Sequence, residues 1–483
     1  MHSKSGYSTQ PKAPNSKNTL VLLSLGIIVF LTRLLFLNAG YGLDSDAWRV
    51  AEAARRIATT GEYSVSRFPG YPLQELCYAL FWKAGPLAFN GVTALFSALA
   101  TVFFALSMKQ LGSKNYIIGS LALAFVPVVY LNSTNSMDYL WAFSFIMASY
   151  YCVLKRRVLL GGVILGLAIG CRISSGAMLF PLSLLIAKNE AVNHKITHIG
   201  KFALATLVVA IAGFLPVLMK YGAGFLTLYA PLYPSLPIVV YRASIEVWGI
   251  IGLLALVSGL FASLLLQKIP KRESAIPKTG TRFHVLIWIL VICLYIICYL
   301  RLPQESGYLI PAVPFIILLL ARILDRRVFI FFCIAILFSP FFLGISLSYK
   351  HGDPKFSHLS LRFNFHSRQL VLDVLKGPLL IDHSKRIEQI KFMESILAHS
   401  ESLNEKAVIV CGEWLPKIRV ELLAEPQSTQ SLVKYVYLLD QAELHQYLDQ
   451  GFLIYYLPGQ RQFNLKLYGI DLLEKGAKPF IIE

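Results

Sequence analysis

Charged residues are scarce in this 483-residue chain: they make up 15% of it, against 56% hydrophobic residues. A soluble protein of this size carries roughly 25% charged residues, so the composition excludes a water-facing enzyme and an intrinsically disordered chain. Acids are scarcer than bases, with 27 Asp and Glu against 45 Lys and Arg. In a membrane protein this excess collects in cytoplasmic loops, so no nucleic-acid partner is expected. The chain is predicted to be an integral membrane protein.

Cysteine is also rare. Most of the seven cysteines lie inside apolar runs, and none forms a CxxC pair. This pattern excludes a disulfide framework and a zinc site of the usual spacing. An internal repeat, which transporters often show, is not visible in the sequence.

Long apolar runs, in contrast, recur along the first 347 residues. About 17 to 25 such residues span a bilayer, and we identify candidate spans at 20–37, 86–108, 115–131, 137–154, 201–219, 243–267, 284–300, 308–324 and 328–347. A further stretch, 158–187, is too long for one ordinary span and is interrupted at Arg172. We interpret it as two short helices that meet near Arg172.

The distribution of positive charge supports this interpretation. With the paired helices, the cytoplasmic segments hold 19 basic residues and the longer outer segments hold nine, as the positive-inside rule requires. A single crossing at 158–187 would place the basic cluster at 268–282 outside. The prediction is therefore a polytopic α-helical membrane protein with about eleven membrane helices.

Three regions follow from this topology. Residues 1–19 are predicted to be a disordered cytoplasmic tail, and 20–349 a transmembrane catalytic domain. Its large first outer loop, 38–85, contains an amphipathic helix from Ser45, which would cap it. The basic and aromatic side of that helix would face either lipid headgroups or a cavity. Residues 350–483 lack a spanning run, and alternating apolar and helical segments predict a soluble extracytoplasmic α/β domain with a mainly parallel sheet.

Ionisable residues gather on the predicted outer face, where groups beside a bilayer are site candidates. They are Asp44, Asp46, Arg67, Asp138, Arg172, Arg242, Arg301 and Glu305. A guanidinium is well shaped to contact a phosphate, and a carboxylate could take a proton from a hydroxyl or hold a divalent cation.

Each candidate also has a structural explanation. Asp44, Asp46 and Asp138 lie where carboxylates cap helices. Arg67 opens a rigid turn, and Arg301 with Glu305 would form an internal salt bridge. Arg172 lies within an apolar stretch and needs either an anionic partner or a wet cavity.

The sequence resembles the membrane glycosyltransferases of the GT-C fold, in particular the group of dolichyl-phosphate-mannose protein mannosyltransferases and lipid A aminoarabinose transferases. The resemblance covers about residues 20–347. It rests on Asp46–Arg55 with Gly61-Glu62-Tyr63, on Arg67-Phe68-Pro69-Gly70-Tyr71-Pro72-Leu73, on Asp138 after Pro127, on Gly166–Arg172, and on Tyr308-Leu309-Ile310-Pro311 with Pro314. The sequence departs from the family at Ala47, where a second acid is frequent.

The resemblance implies an inverting transfer of a sugar from a polyprenyl phosphate to an acceptor hydroxyl at the outer face. Asp46 would be the general base or the carboxylate that positions the acceptor, with Asp138 as a second acid and Asp44 as a possible substitute for the acid missing at Ala47. Binding of substrate and phosphate would fall to Arg67, Tyr71, Arg172, Arg242, Arg301, Glu305 and Tyr308. Mg²⁺ or Mn²⁺ would be the cofactor, if any, with Asp46 and Asp138 as ligands.

The expected partners are the lipid-linked sugar donor, membrane lipids and a lipid, glycan or protein acceptor. The chain would lie in the cell inner membrane, with its active site outside the cytoplasm. Two other functions stay open: a lipid-linked glycan ligase or polymerase, which also uses outer arginines, and a transporter or sensor whose C-terminal domain binds a ligand.

Overall fold

The structure is a computed structural model that describes residues 16–189, 194–226, 233–265, 275–276, 282–348, 356–365, 368–422 and 432–481. Of the predicted disordered tail, residues 1–15 lie outside the described residues. Residues 16–19 form the first turn of a helix, so this helix begins three residues before the predicted end of the tail at residue 19. The predicted basic cluster at 268–282 also lies largely outside the described residues.

Helices make up nearly all of the apolar region. They are α1 (Ser16–Leu34), α2 (Ser45–Thr60), α3 (Pro72–Ala79), α4 (Gly85–Gln110), α5 (Tyr116–Phe125), α6 (Pro127–Asn132), α7 (Tyr139–Leu154), α8 (Val158–Cys171), α9 (Leu179–Asn189), α10 (Lys195–Tyr221), α11 (Leu236–Leu265), α12 (Arg282–Arg301), α13 (Val313–Ile323) and α14 (Arg326–Phe338). Short 3₁₀ helices lie at Trp82–Ala84, Ile173–Met178, Gly222–Leu226 and Ser306–Ala312.

Within the described residues, five helical segments are long and apolar enough to cross a membrane, and shorter apolar helices accompany them. The predicted class, a polytopic helical membrane protein, is therefore confirmed. The number of about eleven membrane helices stays a prediction.

Helix breaks fall where the sequence provides a physical cause. Pro127 opens α6 after the extended Val126, because proline is favoured at the first helical position. Arg172 is extended and ends α8, as the sequence predicted. Gly249 kinks α11 at a φ of 67°, where a Cβ would lie 2.3 Å from Ser339 Oγ. These breaks place polar side chains at helix ends rather than along continuous spans.

Small residues bring α8 against α10. A Cβ at Gly162 would lie 2.5 Å from the Phe202 carbonyl oxygen, and one at Gly166 would lie 2.6 Å from Val209 Cβ. Thr206 Oγ1 also donates to the Gly162 carbonyl at 3.1 Å. This spacing of small residues is typical of closely packed membrane helices.

The predicted span 328–347 is wrong in its second half. Helix α14 ends at Phe338, and Pro340 follows two residues later, where a proline cannot continue the hydrogen-bond pattern of a helix because it has no backbone N–H. A β-strand begins at Gly344. The non-membrane fold therefore begins before the predicted boundary at residue 350.

The C-terminal region contains two sheets. Its strands are β1 (Gly344–Ser348), β2 (Ser360–Phe365), β3 (Arg368–Asp373), β4 (Ala407–Val410), β5 (Val433–Val436), β6 (Leu453–Tyr456) and β7 (Lys478–Pro479), and its helices are α15 (Pro378–Glu401), α16 (Leu415–Leu422), α17 (Gln441–Asp449) and α18 (Gln460–Tyr468). The antiparallel sheet has the order β1-β3-β2, and the other sheet, order β5-β4-β6-β7, is parallel throughout.

Three of the four short apolar runs expected to form strands do so, as β4, β5 and β6. The fourth, 379–381, lies instead in the first turn of α15, where Pro378 at the N-terminus starts a helix. That the region is a soluble, extracytoplasmic domain stays a prediction.

Helix α15 fastens the C-terminal region to the membrane helices through Arg386, which is 2% exposed. Its guanidinium donates to the carbonyl oxygens of Ala39 at 2.9 Å, Gly40 at 3.1 Å and Thr134 at 2.9 Å. Asp382 lies 3.7 Å away, one turn earlier. The C-terminal region thus holds the start of the first outer loop, 38–85, through hydrogen bonds to its backbone.

We expect Arg386→Met to lower the free energy of unfolding by about 3 kcal/mol, because it leaves buried carbonyl oxygens without a donor. The control is Lys391→Met on the exposed side of the same helix, which should change the free energy by less than about 0.5 kcal/mol. Thermal unfolding of the detergent-solubilised protein measures both. Equal small shifts would show that Arg386 does not fasten the two regions.

Candidate functional site

A cavity of about 690 Å³ lies where the ends of α2, α3 and α7 meet the 3₁₀ helix Ser306–Ala312 and the C-terminal region. Its lining comprises Leu43, Asp44, Ser45, Asp46, Arg49, Arg67, Phe68, Tyr71, Tyr139, Leu302, Gln304, Glu305, Tyr308, Gln389, Glu413, Trp414, Lys417, Tyr437 and Phe463. Six of the ten predicted site residues are in this list: Asp44, Asp46, Arg67, Tyr71, Glu305 and Tyr308.

Arg67 lies in the wall of the cavity and joins two of the predicted acids. Its Nε lies 3.1 Å from Asp46 Oδ2, and its Nη2 lies 2.7 Å from Asp138 Oδ1. The guanidinium lies over the Tyr71 ring at 4.1 Å. Its third nitrogen, Nη1, is buried and has no hydrogen-bond partner among the described residues. Arg67 therefore has donor capacity left for an anionic ligand in the cavity.

Asp138 is fully buried behind the cavity wall. One carboxylate oxygen binds Arg67, and the other accepts from Arg172 Nη1 at 2.5 Å. Asp138 precedes α7, yet its side chain makes no capping hydrogen bond. The capping explanation is therefore wrong here. The predicted roles of second acid and metal ligand also do not fit, because both oxygens are in ion pairs and the residue does not reach the described lining.

Arg172 is the other buried partner of Asp138. Its guanidinium lies 4.0 Å from the Tyr139 ring and 4.5 Å from the Tyr308 ring, and it is absent from the described cavity lining. A direct phosphate contact, as predicted, does not fit this position. The need for an anionic partner, inferred from the sequence, is met by Asp138.

Asp44, Asp46 and Glu305 form an acidic cluster at one end of the cavity, with one carboxylate oxygen of each within 4.8 Å of the others. Asp44 caps α2, since its Oδ1 accepts from the Asp46 amide at 2.7 Å. Ser45, predicted as the cap, is instead the first helical residue, and its hydroxyl donates to Glu413. The capping explanation of Asp44 is therefore confirmed, and its carboxylate still faces the cavity.

Asp46 is held from two sides. Arg49 Nη1 binds its Oδ1 at 2.9 Å, while Arg67 binds its Oδ2. The basic side of α2, predicted to face headgroups or a cavity, faces the cavity at Arg49 and the C-terminal region at Glu52, which lies 3.4 Å from Arg419. The Asp46 carboxylate is thus fixed in direction beside the unpaired nitrogen of Arg67.

Glu305 precedes the 3₁₀ helix and lies between two apolar segments. Burial and the negative charge of Asp44 raise its pKa to about 7, against a smaller opposing effect of Arg67. Tyr139 donates a hydrogen bond to its carboxylate. The internal salt bridge predicted with Arg301 is absent from the described ion pairs, and Arg301 is exposed at the end of α12.

Arg242 lies in a second cavity of about 470 Å³, which shares Leu43, Asp44, Gln304 and Glu305 with the first. Its Nη1 donates to the Pro303 carbonyl at 3.0 Å. Arg301 belongs to the described lining of neither cavity. The structure thus brings Asp44, Asp46, Arg67, Tyr71, Glu305 and Tyr308 into one cavity, places Asp138 and Arg172 behind it, and separates Arg242 and Arg301.

Sequence reasoning missed the part of the wall that the C-terminal region supplies. Tyr437 donates a hydrogen bond to Glu413, and Glu413 lies 3.6 Å from Arg49. The buried Lys417 donates to Gln389 at 2.5 Å and to the Leu43 carbonyl at 3.3 Å. Burial lowers the pKa of Lys417 to about 8. A signal was present, since Glu413 and Tyr437 closely follow parallel strands, whose carboxyl ends are the usual ligand-binding edge.

No protein-family model matches the sequence, and no curated protein does. The structure is similar to that of ArnT from Cupriavidus metallidurans bound to undecaprenyl phosphate, with 11% identity and a TM-score of 0.48 over 96% of this chain and 90% of that one. The apo state of that ArnT gives 11% identity and a TM-score of 0.47, over 96% and 89%. At this distance these neighbours assign neither a family nor an activity.

The pKa of Glu305 makes the free energy of unfolding depend on pH. Between pH 4.5, the ordinary pKa of a glutamate, and about pH 7, the pKa of Glu305 in the folded chain, Glu305 keeps its proton when folded and loses it when unfolded. The free energy of unfolding therefore falls as the pH rises through this range. Because glutamine cannot ionise, the free energy of unfolding of Glu305→Gln should not fall in this pH range. Unfolding experiments at several pH values in metal-free buffers measure the difference. Glu394→Gln, at an exposed position on α15, is the control, and a slope unchanged in Glu305→Gln would contradict the assignment.

Proposed function

We propose that this protein is a membrane glycosyltransferase that moves a sugar from a polyprenyl phosphate to an acceptor hydroxyl, with inversion at the anomeric carbon. The observation that carries the proposal is the position of Arg67. An arginine with an unpaired buried nitrogen faces a cavity and directly contacts a carboxylate, Asp46, in the same cavity. A leaving phosphate and a reacting hydroxyl would therefore meet at one place.

Arg67 would bind the phosphate. A guanidinium suits a phosphate because its planar donors match the oxygens of the anion. Charge grows on the bridging oxygen as the bond to the sugar breaks, and a fixed cation stabilises that charge most in a site that excludes water. Tyr71, under the Arg67 guanidinium, keeps this cation in place.

Asp46 would act on the acceptor. The acceptor oxygen attacks the anomeric carbon, the bond from that carbon to the phosphate oxygen breaks, and the hydroxyl proton passes to a carboxylate. Asp46 either takes the proton or positions the hydroxyl, and Glu305 offers a second carboxylate in the same cavity. A correctly placed base contributes about 10²–10⁴-fold to such a step.

Asp138 and Arg172 would be positioning residues. Asp138 fixes the Arg67 guanidinium from behind, and Arg172 binds the other oxygen of the Asp138 carboxylate and so holds that carboxylate in place. Asp138 and Arg172 would affect transfer indirectly, because they keep the Arg67 guanidinium aligned with the phosphate and with the acceptor hydroxyl.

Asp44, Asp46 and Glu305 are the residues that would hold a divalent cation. Their carboxylate oxygens lie within 4.8 Å of one another, and Mg²⁺ and Mn²⁺ prefer oxygen ligands. Such an ion would supply additional positive charge for the phosphate.

The location of the site favours an enzyme over a transporter. Its polar groups lie at helix ends on one side of the apolar region and beneath the C-terminal region, whereas transporters bind substrates near the bilayer midplane. By the positive-inside rule this side faces away from the cytoplasm. We infer a multi-pass protein of the inner membrane with the C-terminal region outside.

Deleting the gene should cause a polyprenyl-phosphate-linked sugar to accumulate and one envelope sugar modification to disappear. A wild-type copy should restore both, whereas Asp46→Asn should not, because it removes the carboxylate charge with little change in size. Mass spectrometry of extracted lipids and envelope glycans measures the effect, with membrane levels of each variant matched. Glu52→Gln, on the same helix, is the control. Restoration by Asp46→Asn, or unchanged lipids after deletion, would contradict the proposal.

A further inference from the structure

The parallel sheet of the C-terminal region directs its carboxyl edge toward the cavity. Glu413 follows β4, Tyr437 follows β5 directly, and Phe463 lies on α18 after β6. All three line the cavity. In open α/β sheets, ligands bind in the crevice outside the carboxyl ends of the strands, where the strand order reverses. Here β5 lies on one side of β4 and β6 on the other, so the reversal occurs at β4.

The loops that follow β4 and β6 meet at this crevice. Gly412 has a φ of 54°, and a Cβ there would lie 1.9 Å from Gln460 Oε1. Glycine favours this backbone conformation, and a Cβ at this position would displace the Gln460 side chain. The contact places Glu413 and the start of α18 side by side.

The part of the cavity wall that the C-terminal region supplies differs in chemistry from the part around Arg67. Tyr437 and Phe463 pack edge to face with ring centres 6.5 Å apart, and Phe463 keeps 37% of its surface exposed. Beside them, Glu413 and Gln389 supply acceptor oxygens. Flat apolar rings next to hydrogen-bond acceptors suit a sugar ring, which has an apolar C–H face and a rim of hydroxyl donors.

We propose that Gln389, Glu413, Trp414, Tyr437 and Phe463 form the acceptor subsite and that it binds a sugar ring. The acceptor is then a glycan or glycolipid rather than a polypeptide. This inference rests on the proposed function, since it takes Arg67 as the donor side. The subsite adjoins the reacting carboxylate, because Glu413 accepts a hydrogen bond from Ser45, the neighbour of Asp46. A sugar on this wall would therefore present a hydroxyl to Asp46.

The test uses the full-length protein in lipid nanodiscs and three kinds of probe. Methyl glycosides of common hexoses and N-acetylhexosamines report on the acceptor subsite, N-acetylthreonine amide represents a polypeptide acceptor, and undecaprenyl phosphate reports on the donor side. Saturation-transfer NMR measures the first two, and native mass spectrometry measures the third. The variant is Phe463→Ala. Its matched control is Tyr468→Ala, an aromatic residue on the same helix that is 48% exposed.

At least one glycoside should bind the wild type, bind Phe463→Ala at least tenfold more weakly, and bind Tyr468→Ala normally. Undecaprenyl phosphate should bind Phe463→Ala as it does the wild type, and should be lost from Arg67→Met. Binding of the threonine probe but of no glycoside, or glycoside binding unchanged in Phe463→Ala, would overturn the subsite. Glycoside binding without any undecaprenyl phosphate binding would instead contradict the proposed donor and leave the subsite supported.

Discussion

A charge buried beside a bilayer is stable only when an opposite charge and hydrogen-bond partners lie within reach. Asp138 meets this condition for Arg67 and Arg172 at once, with one carboxylate oxygen for each guanidinium. The three side chains come from the first outer loop, the start of α7 and the end of α8. The two ion pairs of Asp138 hold those segments together, and one nitrogen of Arg67, Nη1, has no hydrogen-bond partner among the described residues. The candidate chemistry depends on this arrangement.

The C-terminal region completes what the membrane helices begin. Arg386 holds the backbone at Ala39 and Gly40, and Lys417 holds the carbonyl of Leu43 directly before the acidic residues. These contacts fasten the segment that leads to the acidic residues. The same region also supplies one wall of the cavity. Positioning of the carboxylates and the proposed acceptor subsite thus belong to one structural unit.

The sequence predicted the elements that depend on local pattern. Apolar length indicated the spans, and the isolated charge of Arg172 indicated both a helix break and an anionic partner, which is Asp138. It did not distinguish residues that face the cavity from those behind it. Asp46 lies in the first turn of α2 and Asp138 directly precedes α7, so the two differ only in their tertiary surroundings. It also missed Glu413 and Lys417, because the contact of α16 with α2 joins segments more than 300 residues apart. The strand before Glu413 indicated a ligand-binding edge, but no local pattern in the sequence indicates which distant segment that edge contacts.

The central claim is that Arg67 and Asp138 interact directly in the buried network. A double-mutant cycle with Arg67→Met and Asp138→Leu, read by unfolding of the solubilised protein, tests it most directly. We predict a coupling free energy above about 1 kcal/mol, because the two side chains are in direct contact and each single variant already removes that contact. The exposed pair Lys391 and Glu388, 3.1 Å apart on α15, should give below about 0.5 kcal/mol. Additive effects of the Arg67 and Asp138 variants would contradict the account.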